Sequence, residues 1–168
     1  MINSNIAKTI LDGFCINIME SNAIEFAKDH TYLGLLTVMP QNNEQPYEDG
    51  TYFKEPNDPE YQRIRLNDKN PLEQIDYVLA ADAGEPIEVC PGVFATPAVV
   101  TNPTYIMFPE SSVAWGNVVG FGIFDEASGT NLPFIWGPIT AADGTSSVEV
   151  GSEEIPIIRA GSFKISLY

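Results

Sequence analysis

At 168 residues the chain suits one domain, and a domain of this size buries roughly two-thirds of its unfolded surface without help from disulfides or a metal. Apolar residues make up 44% of the sequence and aromatic residues 11%, which excludes a disordered tail. The 23 acidic and 8 basic residues give a net charge of −15, which would repel a phosphate backbone and argues against nucleic acid as a partner.

Residues 1–29 are predicted to form a helical N-terminal segment. Ile6, Ile10 and Phe14 share one face of a short amphipathic helix, which Asn3 or Ser4 can cap. A helix of this length is marginal alone, so we expect it to pack on the rest of the domain or on a neighbouring subunit. The segment carries no secretory signal, and no window of the chain is apolar enough to span a membrane, so no membrane partner is expected.

The first core strand is predicted at residues 32–39, an apolar run that Pro40 closes. The segment from Gln41 to Asp58 is rich in Pro, Gly and Asn and is predicted to be an exposed connector. Alternation of Tyr61, Arg63 and Arg65 with their neighbours then predicts a strand over 60–66.

Residues 67–97 have a weaker pattern, in which 75–80 fits either a strand or a turn of helix. Brief strands are predicted at 87–90 and 93–94, between prolines and a glycine. The C-terminal part predicts strands at 147–150, 155–158 and 163–167, the last of them half-buried because Phe163, Ile165 and Leu167 alternate with polar residues.

The segment 102–140 predicts a long β-hairpin. Val119, Phe121 and Ile123 share one face of its first strand, residues 126–130 form the turn, and Leu132, Phe134 and Trp136 resume the alternation. Short strands between Gly, Pro and Asn turns favour a mainly β fold: an antiparallel β-sandwich (jelly-roll-like) or small barrel with a short N-terminal helix. We expect a single domain over residues 1–168.

The sequence offers few candidates for catalytic or metal-binding residues. His30 is the only histidine, which leaves no set of histidines for a metal and none to spare for a catalytic triad. Cys15 and Cys90 are far apart in sequence and fit two free thiols in a reducing cytoplasm. A Cys-His nucleophilic pair is formally possible, but nothing near either cysteine supports it.

The carboxylates leave two alternatives open. Two of the 23 acids suffice in principle for glycoside hydrolysis, although their abundance makes the signal unspecific. The run Asn57-Asp58-Pro59-Glu60 offers oxygen ligands for calcium, yet it lacks the spaced order of a calcium loop, and a proline-ordered turn explains the same residues. We therefore assign no catalytic, cofactor-binding or metal residues, and we expect no cofactor.

Six aromatic residues have two interpretations. They could stack on sugars in a receptor-binding groove, or pack in the core as aromatics in alternating strands commonly do. Core packing is the preferred interpretation of Tyr105, Phe108, Trp115, Phe121, Phe134 and Trp136.

An ordered series of short motifs runs through the chain and is densest between residues 102 and 140. The motifs are Ile10–Asp12, Leu33–Thr37, Met39–Pro40, Tyr61–Arg63, Ile106–Pro109, Ala114–Gly116, Gly122–Asp125, Gly129–Leu132, Trp136–Ile139 and Arg159–Gly161. With them the sequence resembles a family of small tailed-bacteriophage virion proteins, usually labelled tail fibre or phage structural proteins.

The resemblance implies a non-enzymatic structural component of the virion, made in the bacterial host cytoplasm. Its place would be the tail, a fibre, the neck or the head, and its partners other virion proteins and further copies of itself in a homo-oligomer. The alternative is a host-receptor or glycan-binding module of the adsorption apparatus. In that case Trp115 and Trp136 would lie exposed in a shallow groove.

Overall fold

The computed structural model describes residues 31–66, 79–81, 87–95 and 98–167. Every strand pairing in these residues is antiparallel, so the prediction of a mainly β fold is confirmed. No sheet in this part of the chain closes into a barrel. The predicted N-terminal helix lies outside the described residues. Within them, no helix has the length and apolar character needed to cross a membrane.

The described residues divide into two compact units. The first contains 31–65 and 108–156, and the second contains 66, the described parts of 79–107, and 157–167. The strands of the first unit are β1 (Tyr32–Leu36), β2 (Ile64–Arg65), β8 (Gly116–Val118), β9 (Gly120–Phe124), β10 (Ile135–Pro138) and β11 (Val148–Val150). Those of the second are β3 (Leu79–Ala81), β4 (Ile87–Cys90), β5 (Val93–Ala95), β6 (Ala98–Thr101), β7 (Ile106–Met107), β12 (Ile157–Ile158) and β13 (Lys164–Leu167). The expectation of one domain over the whole chain stays a prediction.

Most predicted strands are present. β1 is buried along Leu33–Leu36. β9 and β10 form a hairpin within 102–140, with Trp136 opposite Gly122, but it is shorter than predicted because β7 and β8 pair with β12 and β11 instead. The prediction of a strand over 60–66 is wrong in length. Only β2 pairs there. Tyr61 contacts the edge of β1 through its side-chain hydroxyl, and the Arg63 side chain binds Glu55.

The prediction that residues 41–58 are an exposed connector is correct only for the first half. Residues 42–50 are mostly exposed, but Phe53, Pro56 and Asp58 are buried. Phe53 joins the core cluster of the first unit, and Lys54 pairs with Val38 in an isolated bridge. The loop is therefore mostly exposed over residues 42–50 and then packs against the sheet.

Glycines shape one face of the four-stranded sheet β10-β9-β1-β2. Gly34 of β1 lies opposite Gly122 of β9, and residues paired across strands share a face. The ring of Phe124 covers both, because a Cβ added to Gly34 or Gly122 would lie 2.8 or 2.7 Å from its Cε2 atom. The absence of side chains at the paired glycines thus creates the space in which this ring lies.

The core of the first unit surrounds that ring. The cluster consists of Leu36, Phe53, Phe124 and Trp136, with Tyr32, Met39 and Leu132 packed at its margin. The rings of Phe53 and Phe124 are tilted by 48° with centroids 5.4 Å apart, a common aromatic geometry. This packing covers one face of the sheet with side chains from β1, β9, β10 and the returning loop.

A buried asparagine organises the second unit. Asn102 is fully buried, and its amide group donates hydrogen bonds to the carbonyl groups of Thr104 and Arg159. Its side-chain oxygen accepts a hydrogen bond from the backbone N–H of Phe163. One side chain therefore connects the end of β6 with the turn before β13.

We expect Gly122→Ala to destabilise the protein. The added Cβ would lie 2.7 and 2.9 Å from two atoms of the Phe124 ring, and overpacking of this kind costs about 1–3 kcal/mol. Gly151→Ala is the control, because the three atoms nearest to its added Cβ belong to the Glu154 side chain and lie 3.4–3.6 Å away, an ordinary van der Waals distance. Chemical denaturation measures both variants, and equal midpoints would contradict this account of the glycine face.

Candidate functional site

The buried charged side chains of the first unit, Asp58 and Arg63, both lie on one segment, residues 54–63, which we call the strap. The strap crosses the edge of β1 that faces away from β9. Beyond the short β2 pairing, its backbone and side chains supply the hydrogen bonds of this edge. The backbone N–H groups of Thr37 and Val38 donate to the carbonyl of Lys54, whose own N–H donates to Val38.

A buried ion pair joins two residues of the strap, Glu55 and Arg63. Arg63 Nε is 2.9 Å from one carboxylate oxygen of Glu55 and Nη2 is 2.7 Å from the other, a two-pronged contact between planar groups. Only 2% of the Arg63 side chain is exposed. Burying an isolated charge is costly, so the arginine depends on this partner.

Arg63 also fixes the turn of the central hairpin. Its two terminal nitrogens donate hydrogen bonds of 2.8 and 2.9 Å to the carbonyl oxygens of Glu126 and Gly129. The plane of the guanidinium lies over the Phe124 ring, with its central carbon 3.5 Å from the ring centroid. One side chain therefore links the strap, the core ring and an exposed loop.

The Tyr61 side chain binds the backbone of β1 at a position where no other strand pairs with β1. Its hydroxyl accepts a hydrogen bond of 2.8 Å from the N–H of Leu35 and lies 2.9 Å from Glu55, to which it donates. Its ring packs edge-on against Trp115, with centroids 5.3 Å apart. Burial raises the pKa of Tyr61 well above its ordinary value, and the negative charge of Glu55 adds to this effect. The hydroxyl therefore remains protonated and keeps its structural hydrogen bonds.

Asp58 anchors the middle of the strap. Its carboxylate accepts hydrogen bonds from the N–H and hydroxyl of Ser112, the N–H of Val113 and the indole of Trp115, at 2.6–3.2 Å. Burial by itself would raise the pKa of Asp58, but the hydrogen bonds outweigh it and hold the pKa well below its ordinary value. The N–H of Glu60 also donates to this carboxylate and closes a local turn.

These contacts give two of the three carboxylates of the strap, Glu55 and Asp58, a structural role. Glu55 is occupied by Arg63 and Tyr61, and Asp58 by donors that lie more than fifty residues further along the chain. The carboxylate that the sequence offered to calcium is thus directed toward N–H and O–H groups. In the described part of the chain, no three His, Cys, Asp or Glu side chains cluster in a way that could hold a metal ion.

The aromatic residues mostly follow the core interpretation. Trp115 and Trp136 are 7% and 2% exposed, so neither indole forms an open sugar-stacking surface. Phe108 and Phe134 are also buried, whereas Tyr105 and Phe121 are partly exposed. Of the other candidates, His30 and Cys15 lie outside the described residues, and Cys90 is the last residue of β4.

Sequence reasoning did not identify the strap. The alternation of Tyr61 and Arg63 predicted a strand, and Asp58 was noted only as a possible oxygen ligand. The Asp-Pro pair signals a local turn, which is present. No local pattern indicates that the same carboxylate binds Trp115, because that contact joins residues far apart in the chain.

Arg63→Met is expected to lower the free energy of unfolding by about 3–5 kcal/mol, because it leaves the Glu55 charge without its buried partner. Lys54→Met is the matched control. Lys54 forms an ion pair with Asp49 in which both side chains are about half exposed, so little change is expected. Urea denaturation of the two variants compares them directly, and similar losses would show that burial does not govern the Arg63 contribution.

Acid should weaken the Asp58 anchor. The pKa of Asp58 is lower in the folded protein than the value of about 3.9 in an unfolded chain, so its stabilising contribution is complete above that pH and declines as pH falls below it. We expect Asp58→Asn to reduce stability at pH 7 and to flatten the loss of stability between about pH 5 and 2.

Asp49→Asn provides the comparison. Hydrogen bonds from Lys54 and Thr51 also lower the pKa of Asp49, but this side chain is 47% exposed, and solvent screens its interactions. Thermal melts recorded across this pH range should show the smaller effect for Asp49→Asn. A pH profile for Asp58→Asn that coincides with the wild-type profile would rule out the anchor as a source of acid sensitivity.

Comparison with known proteins places the chain in a family. No curated protein and no solved structure matches it. Residues 9–165, nearly the whole chain, match the family model described as "Podophage GP4 fiber I protein gp80". The resemblance to phage fibre and structural proteins is thereby confirmed: the chain belongs to this family of podophage fibre proteins and is a component of the virion.

Proposed function

We propose that the chain is a non-enzymatic building block of the phage fibre, present in several copies and acting through contacts between subunits. Membership of the fibre family supports the structural role. The contacts of three charged side chains support the non-enzymatic part of the proposal. Glu55, Asp58 and Arg63 bind backbone and side-chain groups of the protein itself and thereby hold loops in place.

Rigid loops suit a protein whose work is mechanical. The hairpin turn at 125–131 is exposed throughout, yet Arg63 holds two of its carbonyl groups from inside. Fixing a loop before it meets a partner lowers the entropy lost when the contact forms. This supports a role in which exposed loops present fixed contact points to neighbouring subunits.

The surface charge supports controlled association. Most acidic residues of the described segments are exposed, including Glu48, Asp49, Asp125, Glu149 and Glu153. With a net charge of −15, free chains repel one another at long range and stay soluble before assembly. The N-terminal segment remains a candidate for contacts with a neighbouring copy, as does the exposed part of the loop after Pro40.

Two exposed turns offer sites for a label. Tyr47–Thr51 and Ala141–Thr145 share one geometry, in which the first N–H donates to the last carbonyl and the glycine has a positive φ of 79° or 86°. In both, the Asp-Gly-Thr sequence closes through hydrogen bonds from the threonine to the aspartate. An epitope inserted after either glycine should leave the core of the first unit intact.

Phage carrying the epitope at Gly144 should bind antibody along a fibre at several places per particle, as seen by electron microscopy. The same insertion at Gly50 is the control for effects of the insertion site, and untagged phage is the control for antibody specificity. Purified particles that lack the tagged chain, although the cells contain it in folded form, would overturn the structural assignment. A single copy per particle would overturn the multi-copy part alone.

A further inference from the structure

Two exposed turns of the first unit share the sequence Asp-Gly-Thr, in which the aspartate can react with its own backbone. They are the turns Tyr47–Thr51 and Ala141–Thr145, and the aspartate and glycine of each are exposed. Because glycine has no Cβ, its peptide nitrogen is unhindered and can attack the side-chain carboxyl carbon, Cγ, of the preceding aspartate. Both turns are therefore candidate sites of spontaneous isomerisation. The third Asp-Gly pair of the chain, Asp12-Gly13, lies outside the described residues.

The reaction has two steps and needs no reagent other than water. First the glycine nitrogen forms a bond to Cγ, and the proton of that nitrogen leaves as water with the hydroxyl of the protonated carboxyl group. The resulting succinimide ring then takes up water at either of its carbonyl carbons. Addition at Cγ restores aspartate, whereas addition at the backbone carbonyl carbon gives isoaspartate, whose main chain runs through Cβ and Cγ.

Hydrogen bonds restrain both reacting groups in each turn. The N–H of Gly50 donates to the carbonyl of Tyr47, and the N–H of Gly144 donates to the carbonyl of Ala141, both at 2.9 Å. One carboxylate oxygen of each aspartate, Oδ1, accepts hydrogen bonds of 2.6–3.0 Å from the N–H and the hydroxyl of the following threonine. The folded turns are therefore expected to react more slowly than the same sequence in an unfolded chain.

The two turns differ at the second carboxylate oxygen. Oδ2 of Asp49 lies 2.7 Å from Nζ of Lys54, whose backbone is held in the bridge to Val38. Among the described residues, no lysine or arginine forms an ion pair with Asp143. The hydrogen bond from Lys54 is the largest of the causes that lower the pKa of Asp49. An ion pair favours the ionised carboxylate, whereas ring closure needs the protonated acid, so Lys54 opposes the reaction at Asp49.

We propose that Asp143 is a site of spontaneous isomerisation in the folded protein and that Lys54 protects Asp49 from the same reaction. Isoaspartate adds one atom to the main chain, so the hydrogen bond between Ala141 and Thr145 cannot keep its present geometry. The turn at 141–145 therefore changes shape as the protein ages, while the turn at 47–51 keeps its shape. This chemistry does not depend on the place of the chain in the fibre.

The experiment incubates the purified full chain at mildly acidic pH and follows isoaspartate in each peptide by electron-transfer mass spectrometry. The folded wild type should form isoaspartate at Asp143 roughly two- to fivefold faster than at Asp49, the range expected from an ion pair whose side chains are about half exposed. Lys54→Met should raise the rate at Asp49 to that at Asp143 and leave the rate at Asp143 unchanged. Because the peptides are resolved, Asp12 does not contribute to either signal.

Two controls separate the effect of the fold from that of the sequence. In urea the two sites should react at similar rates, with or without Lys54, because both have the local sequence Asp-Gly-Thr. Arg159→Met removes an exposed positive charge from the second unit and should leave both rates in the folded chain unchanged. A folded wild type in which Asp49 reacts as fast as Asp143 would overturn the proposal. So would a Lys54→Met variant whose rate at Asp49 equals that of wild type, or isoaspartate at Asp143 that forms in urea only.

Discussion

The Phe124 ring lies between two very different surfaces, and most of the first unit depends on how it is held there. Below it is a sheet from which side chains are missing at Gly34 and Gly122. Above it is the guanidinium of Arg63, a flat cation that stacks on an aromatic face and still directs its N–H groups outward. The Phe124 ring thus contacts both the glycine positions of the sheet and the guanidinium of Arg63.

This arrangement explains why a charged residue is buried in so small a unit. A buried ion pair is a weak source of stability, because removing both charges from water costs roughly what their attraction returns. The contribution of this ion pair is instead to fix the positions of the groups that Arg63 binds. Arg63 reaches Glu55, Glu126 and Gly129 at once, and an apolar side chain of the same volume would fix none of these groups.

The Tyr61 hydroxyl and the Asp58 carboxylate also fix groups that are distant in the sequence. Tyr61 satisfies a strand N–H that has no backbone partner, and Asp58 satisfies the loop that carries Trp115. Each of these side chains comes from the strap, so a segment with little regular structure of its own is well ordered by long-range contacts. A virion component benefits from such order, since its exposed turns keep one shape when it associates with other virion proteins.

The sequence alone determined the class of fold and the family. Alternating apolar residues fix strands locally, and hence β1, the β9–β10 hairpin and the short C-terminal strands were predicted from their own residues. The motifs between residues 102 and 140 carried the resemblance that the family match confirmed. Tertiary structure decided the rest. Whether Tyr61 and Arg63 form a strand or cover one, and whether Asp58 binds an ion or an indole, depends on groups up to sixty-six residues away, about which local sequence holds no information.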